Sequence, residues 1–449
     1  MNIEGKKISV IGAVRSGIGA AKLAKKLGAI PFVSDSSPKD KLEKSISFFE
    51  AEGIAYECEK HSSKVFDCDF IVTSPGVPTN SAVLVKAREN NIKIISEVEF
   101  ASWFCKGNII SITGTNGKTT TTELMNFALN ENGIKCYAAG NIGKAFSEIV
   151  LDVKENDFVA LETSSFQLDF IDSFKPRFSM ILNITPDHLD RYDNSFDKYI
   201  AAKLKITGKQ NENDYFIYNA DDSNTFKKIT NNSVRKLGFS IKNEIENGAY
   251  SLNGKMFFSK NGKAEEVCSV SDLFIKGEHN VANALAVLAV VKTLDLPNKK
   301  IKLAFASFKG VEHRIEFVRE LNGVEYYNDS KATNVDSVWF ALKSFEKPIY
   351  LILGGKDKGN NYDQIRDLVK NNVKKIYAVG SSANKVYDYF KDVVPTEYKQ
   401  TMEACVEAAN EEALPGTVVL LSPACASFDM FDSYEHRGKV FKDAVNKLS

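Results

Sequence analysis

The sequence predicts an α/β protein of three domains, each built on a largely parallel sheet. Three observations carry that expectation. The chain has 449 residues, about three times the roughly 150 residues of an ordinary domain. Short β-branched runs alternate with helical patterns, and this rhythm restarts twice along the chain. Glycine turns and polar clusters follow the apolar runs, at the strand ends where open α/β sheets bind ligands.

In the first third the strand-like runs are Ile8 to Ile11, Ile30 to Ser34, Phe70 to Thr73 and Ile92 to Ile95. The turn after the first run, Gly12 to Gly19, and Asp35 at the end of the second make this a Rossmann-like domain, assigned to residues 1–97. The glycines miss the G-x-G-x-x-G spacing, which makes nicotinamide binding a weak reading.

The middle third, 98–310, opens on Asn108 to Thr113, a strand that runs into Gly114-Thr115-Asn116-Gly117-Lys118-Thr119-Thr120. Backbone N–H groups of a glycine turn at a helix N-terminus point at an anion, Lys118 adds a charge for β- and γ-phosphates, and Thr119 offers a hydroxyl to magnesium. The G-x-x-x-x-G-K-[ST] frame asks for glycine where Ile112 stands, and a bare G-K-T triplet is also compatible with a polar turn. With its strand-turn-helix context, the domain reads as P-loop ATPase-like. Further strands fall at Phe158 to Leu161 and Phe178 to Leu182, and Asn-Gly pairs flanking Lys255 to Ser259 predict a small antiparallel addition.

The last third, 311–449, restarts the alternation with Val324 to Tyr327, Ile349 to Leu353, Ile376 to Val379 and Thr417 to Leu421, a second Rossmann-like domain. Lysine plus arginine equals aspartate plus glutamate at 58 each, so no global basic field favours nucleic acid or an anionic membrane. Seven scattered cysteines without a C-x-x-C pair suit a reduced, cytoplasmic chain. The N-terminus carries no apolar signal segment, and the most apolar stretch, Val281 to Val291, suits a buried helix rather than a membrane span.

Four polar constellations follow apolar runs. Glu162 lies just beyond one strand, where it can hold magnesium or serve as the acid of a helix start capped by Ser164 or Ser165. Asn183 to Arg191 follows another, and its His188 can ligate metal or be an ordinary surface histidine. Lys203, downstream, reads as a solvated helix lysine. Asn280 and Asn283, one helical turn apart, can read a base edge or cap a helix. In the last domain Tyr327 to Asn334, Gly354 to Lys358 and Ser422 to Asp429 should converge on one sheet edge. Their lysines and hydroxyls suit a small dicarboxylate, and turn chemistry alone would account for Gly354-Gly355 and Ser422-Pro423.

In succession GTNGKTT, ETSSFQL, NITPDHLDRY, AAKLK, NADD, GEHNVANALA, HRIE, NDSKATN, LGGKDK and SPACASFD resemble the Mur ligase family across the whole chain. NDSKATN with SPACASFD resembles its D-glutamate-adding member. The resemblance implies that ATP phosphorylates the alanyl carboxylate of UDP-N-acetylmuramoyl-L-alanine. The D-glutamate amine then attacks the acyl phosphate, a step of cytoplasmic peptidoglycan precursor synthesis serving cell shape and division. It implies a monomer working on small molecules, without nucleic acid or membrane insertion. A folylpolyglutamate synthase-like ligase and a nucleotide-switch protein without ligase activity are the rivals. The dinucleotide-like first domain opposes the former, and the lysine and hydroxyl loops of the last oppose the latter.

Carried over by position, Gly114, Thr115, Asn116, Gly117, Lys118, Thr119, Thr120, Asn280, Asn283, Arg314 and Asp329 would bind ATP. Lys118, Glu162, His188 and Lys203 would be catalytic. Thr119, Glu162, His188 and Lys203 would hold magnesium at two sites. The last would do so as a carbamate made from CO2, an anionic ligand in place of a cation, which reverses the solvated-lysine reading. Val14, Arg15, Ser16, Asp35, Ser36, Ser74, Pro75, Gly76, Asn141 and His188 would meet the uridine substrate. Ser37 stands where a relative can offer arginine, with Arg15 the candidate substitute. Lys331, Thr333, Lys358, Ser427 and Tyr434 would meet D-glutamate, Tyr434 standing where relatives often have phenylalanine.

Overall fold

The computed structural model describes residues 1–226, 228, 233–357 and 359–449. Among the described residues the chain forms three sheets. In the first, β1 (Lys7–Ile11), β2 (Ile30–Ser34), β3 (Ala55–Glu57), β4 (Phe70–Thr73) and β5 (Lys93–Ser96) lie in the order β3-β2-β1-β4-β5, all parallel. The apolar runs are continuous because helices cover both faces: Val10, Ile11, Ile71 and Val72 are at most 1% exposed. The strand order reverses beside β1, which opens a crevice beyond its C-terminus. There Gly12 has φ +97°, and a Cβ on Gly17 would lie 1.8 Å from the Gly12 carbonyl oxygen, so this turn demands glycine.

The second sheet contains β6 (Asn108–Thr113), β7 (Cys136–Gly140), β8 (Phe158–Glu162), β9 (Phe178–Ile181), β10 (Tyr215–Asn219), β11 (Arg235–Ser240), β12 (Gly248–Leu252), β13 (Lys255–Lys260) and β14 (Lys263–Ser269). Their order is β14-β13-β12-β11-β10-β9-β6-β8-β7. The sheet is parallel from β7 to β12, and β12, β13 and β14 form an antiparallel meander. Asn253, Gly254, Asn261 and Gly262 all have positive φ, as the tight turns expected around Lys255 to Ser259 require. β6 lies between β8 and β9, so its loop faces the ends of both neighbours.

The third sheet holds β15 (Glu316–Leu321), β16 (Val324–Asn328), β17 (Ile349–Leu353), β18 (Val373–Ala378), β19 (Thr396–Tyr398) and β20 (Val418–Leu421), in the order β15-β16-β20-β17-β18-β19. Among these described strands, β15 and β16 pair antiparallel and the rest pair parallel.

These sheets fall into two compact units. Met1–Leu273 with Val281–Phe305 carries the first two sheets, and Phe274–Asn280 with Ala306–Ser449 carries the third. Val281 to Val291 lies within the helix Glu278–Thr293, where Ala284 to Val291 are fully buried, as its composition predicts. Among the described residues no helix is long and apolar enough to cross a membrane.

Some strands that composition did not reveal are short, and one extends into charged residues. β3 and β19 have three residues each, and β18 begins at Val373 rather than Ile376, taking in Lys374 and Lys375. Lys375 fits because its ammonium pairs with Glu397 at 2.9 Å and Glu412 at 2.7 Å.

Candidate functional site

The loop after β6 is shaped by two glycines in conformations that side chains avoid: Gly114 at φ +155° and Gly117 at φ +85°. The helix begins at Lys118, within the glycine motif, and runs to Glu131. Its N-terminal N–H groups therefore lie on the loop itself, the arrangement that receives phosphate. A Cβ on Gly117 would come within 2.5 Å of Asn283 Oδ1, so Asn283 packs directly on the loop. Asn280, buried on the same helix, donates from Nδ2 to the Lys276 carbonyl at 2.9 Å.

Neighbouring segments hold the loop in place. The Asn183 carboxamide accepts from Asn116 N–H at 2.8 Å and donates to the Asn116 carbonyl at 3.0 Å. Thr115 Oγ1 donates to the Thr185 carbonyl at 3.0 Å, accepts from Thr185 N–H at 3.0 Å and lies 3.2 Å from the Tyr199 hydroxyl. Asn183 and Thr185, from the polar cluster after the apolar run, and Tyr199 are structural parts of the site to which sequence reasoning assigned no such role. The signal available for Asn183 was its place directly after an apolar strand.

Glu162 is the last residue of β8, not a residue beyond it, and it is 2% exposed. One carboxylate oxygen accepts from Thr119 Oγ1 at 2.7 Å and the other from Asn141 Nδ2 at 2.9 Å. The helix-start alternative thus divides between two residues: Ser164 caps the short helix Ser165–Leu168, while Glu162 faces the glycine loop. A buried carboxylate touching a hydroxyl at the head of a phosphate loop is an oxygen-donor set that fits magnesium. Asn141, carried over to the uridine substrate, is joined to this acid.

Lys203 overturns the solvated-lysine expectation. It is 1% exposed, and its Nζ donates to the Gly114 carbonyl at 2.9 Å while lying 4.6 Å from the Tyr199 ring centre. Lys118 Nζ donates to the same carbonyl at 2.9 Å and to Thr115 O at 2.8 Å. Burial, and then the Lys118 charge, push the Lys203 ammonium well below its ordinary range. Tyr199, Ile200 and Ile206, three and four positions away on the same face, are buried with it, so this face turns inward.

His188 has φ +50° and begins the turn Leu189–Tyr192. Its half-exposed ring lies 3.6 Å from an Asp187 carboxylate oxygen and 5.3 Å, edge on, from Phe166. In the first sheet Asp35 is a loop organiser, with Oδ2 accepting from Ala13 N–H at 2.7 Å and Oδ1 from Ser37 N–H at 2.8 Å. Arg15 Nη1 donates to the Gly143 carbonyl at 3.0 Å. Val14 is 63% exposed, open to a ligand beside Ser16. Ser36 and Ser74 to Gly76 continue the rim, Ser74 N–H donating to Ile11 O at 2.9 Å.

In the second unit Asp329 is buried and accepts from Ser422 Oγ at 2.7 Å, and desolvation pushes its carboxyl up to about 7. Arg314 lies between His313 and Ile315, both at positive φ, in a turn tied to Asp329 by Ile315 N–H at 3.3 Å. Lys331 Nζ donates to the Tyr434 hydroxyl at 3.0 Å, so the tyrosine in a phenylalanine position adds a polar partner to this lysine. Thr333 N–H donates to the Lys331 carbonyl at 2.9 Å, and Ser427 is 2% exposed. Lys358 lies outside the described residues. Arg437, absent from the motif reading, is buried and donates to Ser330 Oγ at 2.9 Å, Ser330 O at 2.7 Å and Cys425 O at 3.0 Å, tying NDSKATN to SPACASFD.

Family models match in the same order as these sites: the MurD N-terminal domain over residues 7–83, the Mur ligase middle domain over 112–291, and the Mur ligase glutamate ligase domain over 313–425. A UDP-N-acetylmuramoylalanine--D-glutamate ligase of Christiangramia forsetii is 46% identical, with 99% of this chain and 100% of the relative covered. One from Chloroherpeton thalassium is 43% identical, with 99% of each covered. Among solved structures, the UDP-N-acetylmuramate-alanine ligase of Thermotoga maritima shares the fold with a TM-score of 0.61 at 20% identity, covering 98% of this chain and 99% of the other. A MurF ligase of the same organism, solved in complex with ADP, has a TM-score of 0.60 at 16% identity, covering 93% and 96%. With relatives this similar from end to end, the chain belongs to the Mur ligase family, among the UDP-N-acetylmuramoylalanine--D-glutamate ligases.

Proposed function

We propose that this protein is an ATP-dependent ligase that joins D-glutamate to UDP-N-acetylmuramoyl-L-alanine, releasing ADP and phosphate in peptidoglycan precursor synthesis. The gathering of Thr119, Glu162 and Lys203 on one glycine loop, in a chain 46% identical throughout to a ligase so named, carries that assignment. A carboxylate oxygen of the alanyl group attacks the γ-phosphorus and ADP leaves. The glutamate nitrogen then attacks the acyl carbon, and the tetrahedral intermediate collapses with loss of phosphate.

The protein's task is positioning and neutralising charge on oxygens. Gly114, Thr115, Asn116, Gly117 and Thr120 cradle phosphate, Lys118 swings its ammonium from the loop carbonyls to the γ-phosphate, and Asn280 and Asn283 meet adenine. Thr119, Glu162, His188 and Lys203 supply oxygen and nitrogen ligands for two magnesium ions, which neutralise phosphate charge when bound. Lys203 serves as a carbamate: its neutral amine nitrogen bonds to the carbon of CO2 and loses a proton, leaving an anionic oxygen donor. The burial of Lys203 beside a second ammonium supports this role, since only the neutral amine is nucleophilic.

Arg314 and Asp329 serve ATP, and Lys331, Thr333, Lys358, Ser427 and Tyr434 serve D-glutamate. Val14, Arg15, Ser16, Asp35, Ser36, Ser74, Pro75 and Gly76 meet the uridine nucleotide, with Asn141 and His188 toward its reacting end. Residues 1–97, 98–310 and 311–449 are the corresponding domains of a cytoplasmic monomer. The test is phosphate release from ATP with the muramoyl-alanine nucleotide, with and without D-glutamate. D-glutamate-dependent release is expected. Glutamate-independent turnover, or activity only with L-glutamate on folate, would overturn the assignment.

A further inference from the structure

Arg191 belongs to none of the groups assigned to substrate, yet its guanidinium is held by a ring face and three backbone carbonyls. Its guanidinium lies 4.1 Å from the centre of the Phe166 ring. From there Nη2 donates to the Pro75 carbonyl at 3.2 Å and the Val77 carbonyl at 3.1 Å, and Nη1 reaches the Gly76 carbonyl at 3.5 Å. One side chain of the second sheet's loops thus reads three successive carbonyls of the loop that follows β4. Phe166 comes four residues after Glu162, and its ring also meets His188 at 5.3 Å and Tyr192 at 6.2 Å. A single aromatic ring therefore links the acid strand, the histidine turn and, through Arg191, the rim of the first sheet.

We infer that Arg191, seated on Phe166, is a positioning residue that sets the register of the Ser74 to Val77 loop against Glu162 and His188, and so the placement of the uridine nucleotide relative to the phosphoryl-transfer centre. The inference rests on the proposed role of Ser74, Pro75 and Gly76 in binding that substrate. The guanidinium's planar fork is what the geometry uses. Lysine keeps the charge but loses both the parallel N–H bonds to neighbouring carbonyls and the flat face against the ring. With its N–H groups directed at backbone oxygens, Arg191 acts on substrate through the loop rather than by touching it.

The experiment compares wild type with Arg191→Lys, Arg191→Ala and Phe166→Leu in full steady-state analysis, varying the uridine nucleotide, ATP and D-glutamate in turn, with melting temperatures alongside. D-glutamate-dependent turnover by wild type first establishes the assignment on which the inference rests; its absence would overturn both. Given that turnover, the expected result is a rise of about tenfold in KM for the uridine nucleotide in both Arg191 variants. Phe166→Leu should give a smaller rise in the same constant. KM for ATP and for D-glutamate should stay within about twofold of wild type. A wild-type KM in Arg191→Lys would show that charge alone matters and overturn the positioning role. So would a parallel decline of all three constants with melting temperature, the mark of a merely structural residue.

Discussion

Lys203 is buried with its Nζ on the Gly114 carbonyl, which also accepts from the Lys118 ammonium. Such a site disfavours the charged amine, the condition that the proposed carbamate role of Lys203 needs. Lys203→Ala should therefore lower initial rates at least a hundredfold, with partial return on adding a short carboxylate such as formate; unchanged rates would remove Lys203 from the site. Asp329 shows the opposite displacement, with burial raising its carboxyl from 3.8 to about 7. The proton then binds the folded chain more tightly than the unfolded one. The associated stability is complete below 3.8 and is lost as pH rises through about 7. Each unit of displacement corresponds to about 1.4 kcal/mol. Asparagine can accept from Ile315 N–H and donate to the Ser422 hydroxyl, so thermal melts of Asp329→Asn should lack this slope between pH 4 and 8 and exceed wild type at the upper end.

The strand-loop-helix unit from Asn108 to Glu131 works as a whole because its strand is central, its loop is glycine-bent and its helix starts on the loop. Gly117 is the tightest point. Its left-handed conformation costs an L-residue about 1–2 kcal/mol, and the added Cβ would strike Asn283. Gly117→Ala should raise KM for ATP at least tenfold while lowering the melting temperature by only a few degrees, read by ATP titration and thermal melts. The element was legible in the sequence because strand, glycine turn and helix each leave a local signature. The supports of the loop were not, because Asn183, Thr185 and Tyr199 reach it from 67, 70 and 84 positions away.

At the scale of the molecule, the first two sheets share one compact unit, and Glu99 is one of the ties between them. This fully buried carboxylate accepts from the N–H groups of Asp172, Ser173 and Phe174 at 3.0, 2.9 and 2.8 Å, and from Trp103 Nε1 at 2.8 Å. Removing it strands four donors at once, that of Phe174 buried and the others partly buried. Glu99→Ala should cost about 2–4 kcal/mol, seen in denaturant unfolding, with Glu99→Gln in between. The three-sheet architecture, most strand positions and the order of the motifs could be read in advance, because alternation and glycine punctuation are local properties. Arg437 and Arg191 could not, since a lone arginine on a helix or turn gives no sign of the carbonyls it will meet.

Local chemistry was enough to identify the α/β class, the glycine-bent strand-loop-helix and the family, since each depends on neighbouring residues or on the succession of motifs. Folding supplied the environments. It buried Lys203 against Gly114, turned Glu162 toward Thr119 and Asn141, and placed Arg191 between Phe166 and the Ser74 to Val77 loop. Desolvation and long-range hydrogen bonds determine what those side chains can do, and both arise only when segments distant in the chain are packed together.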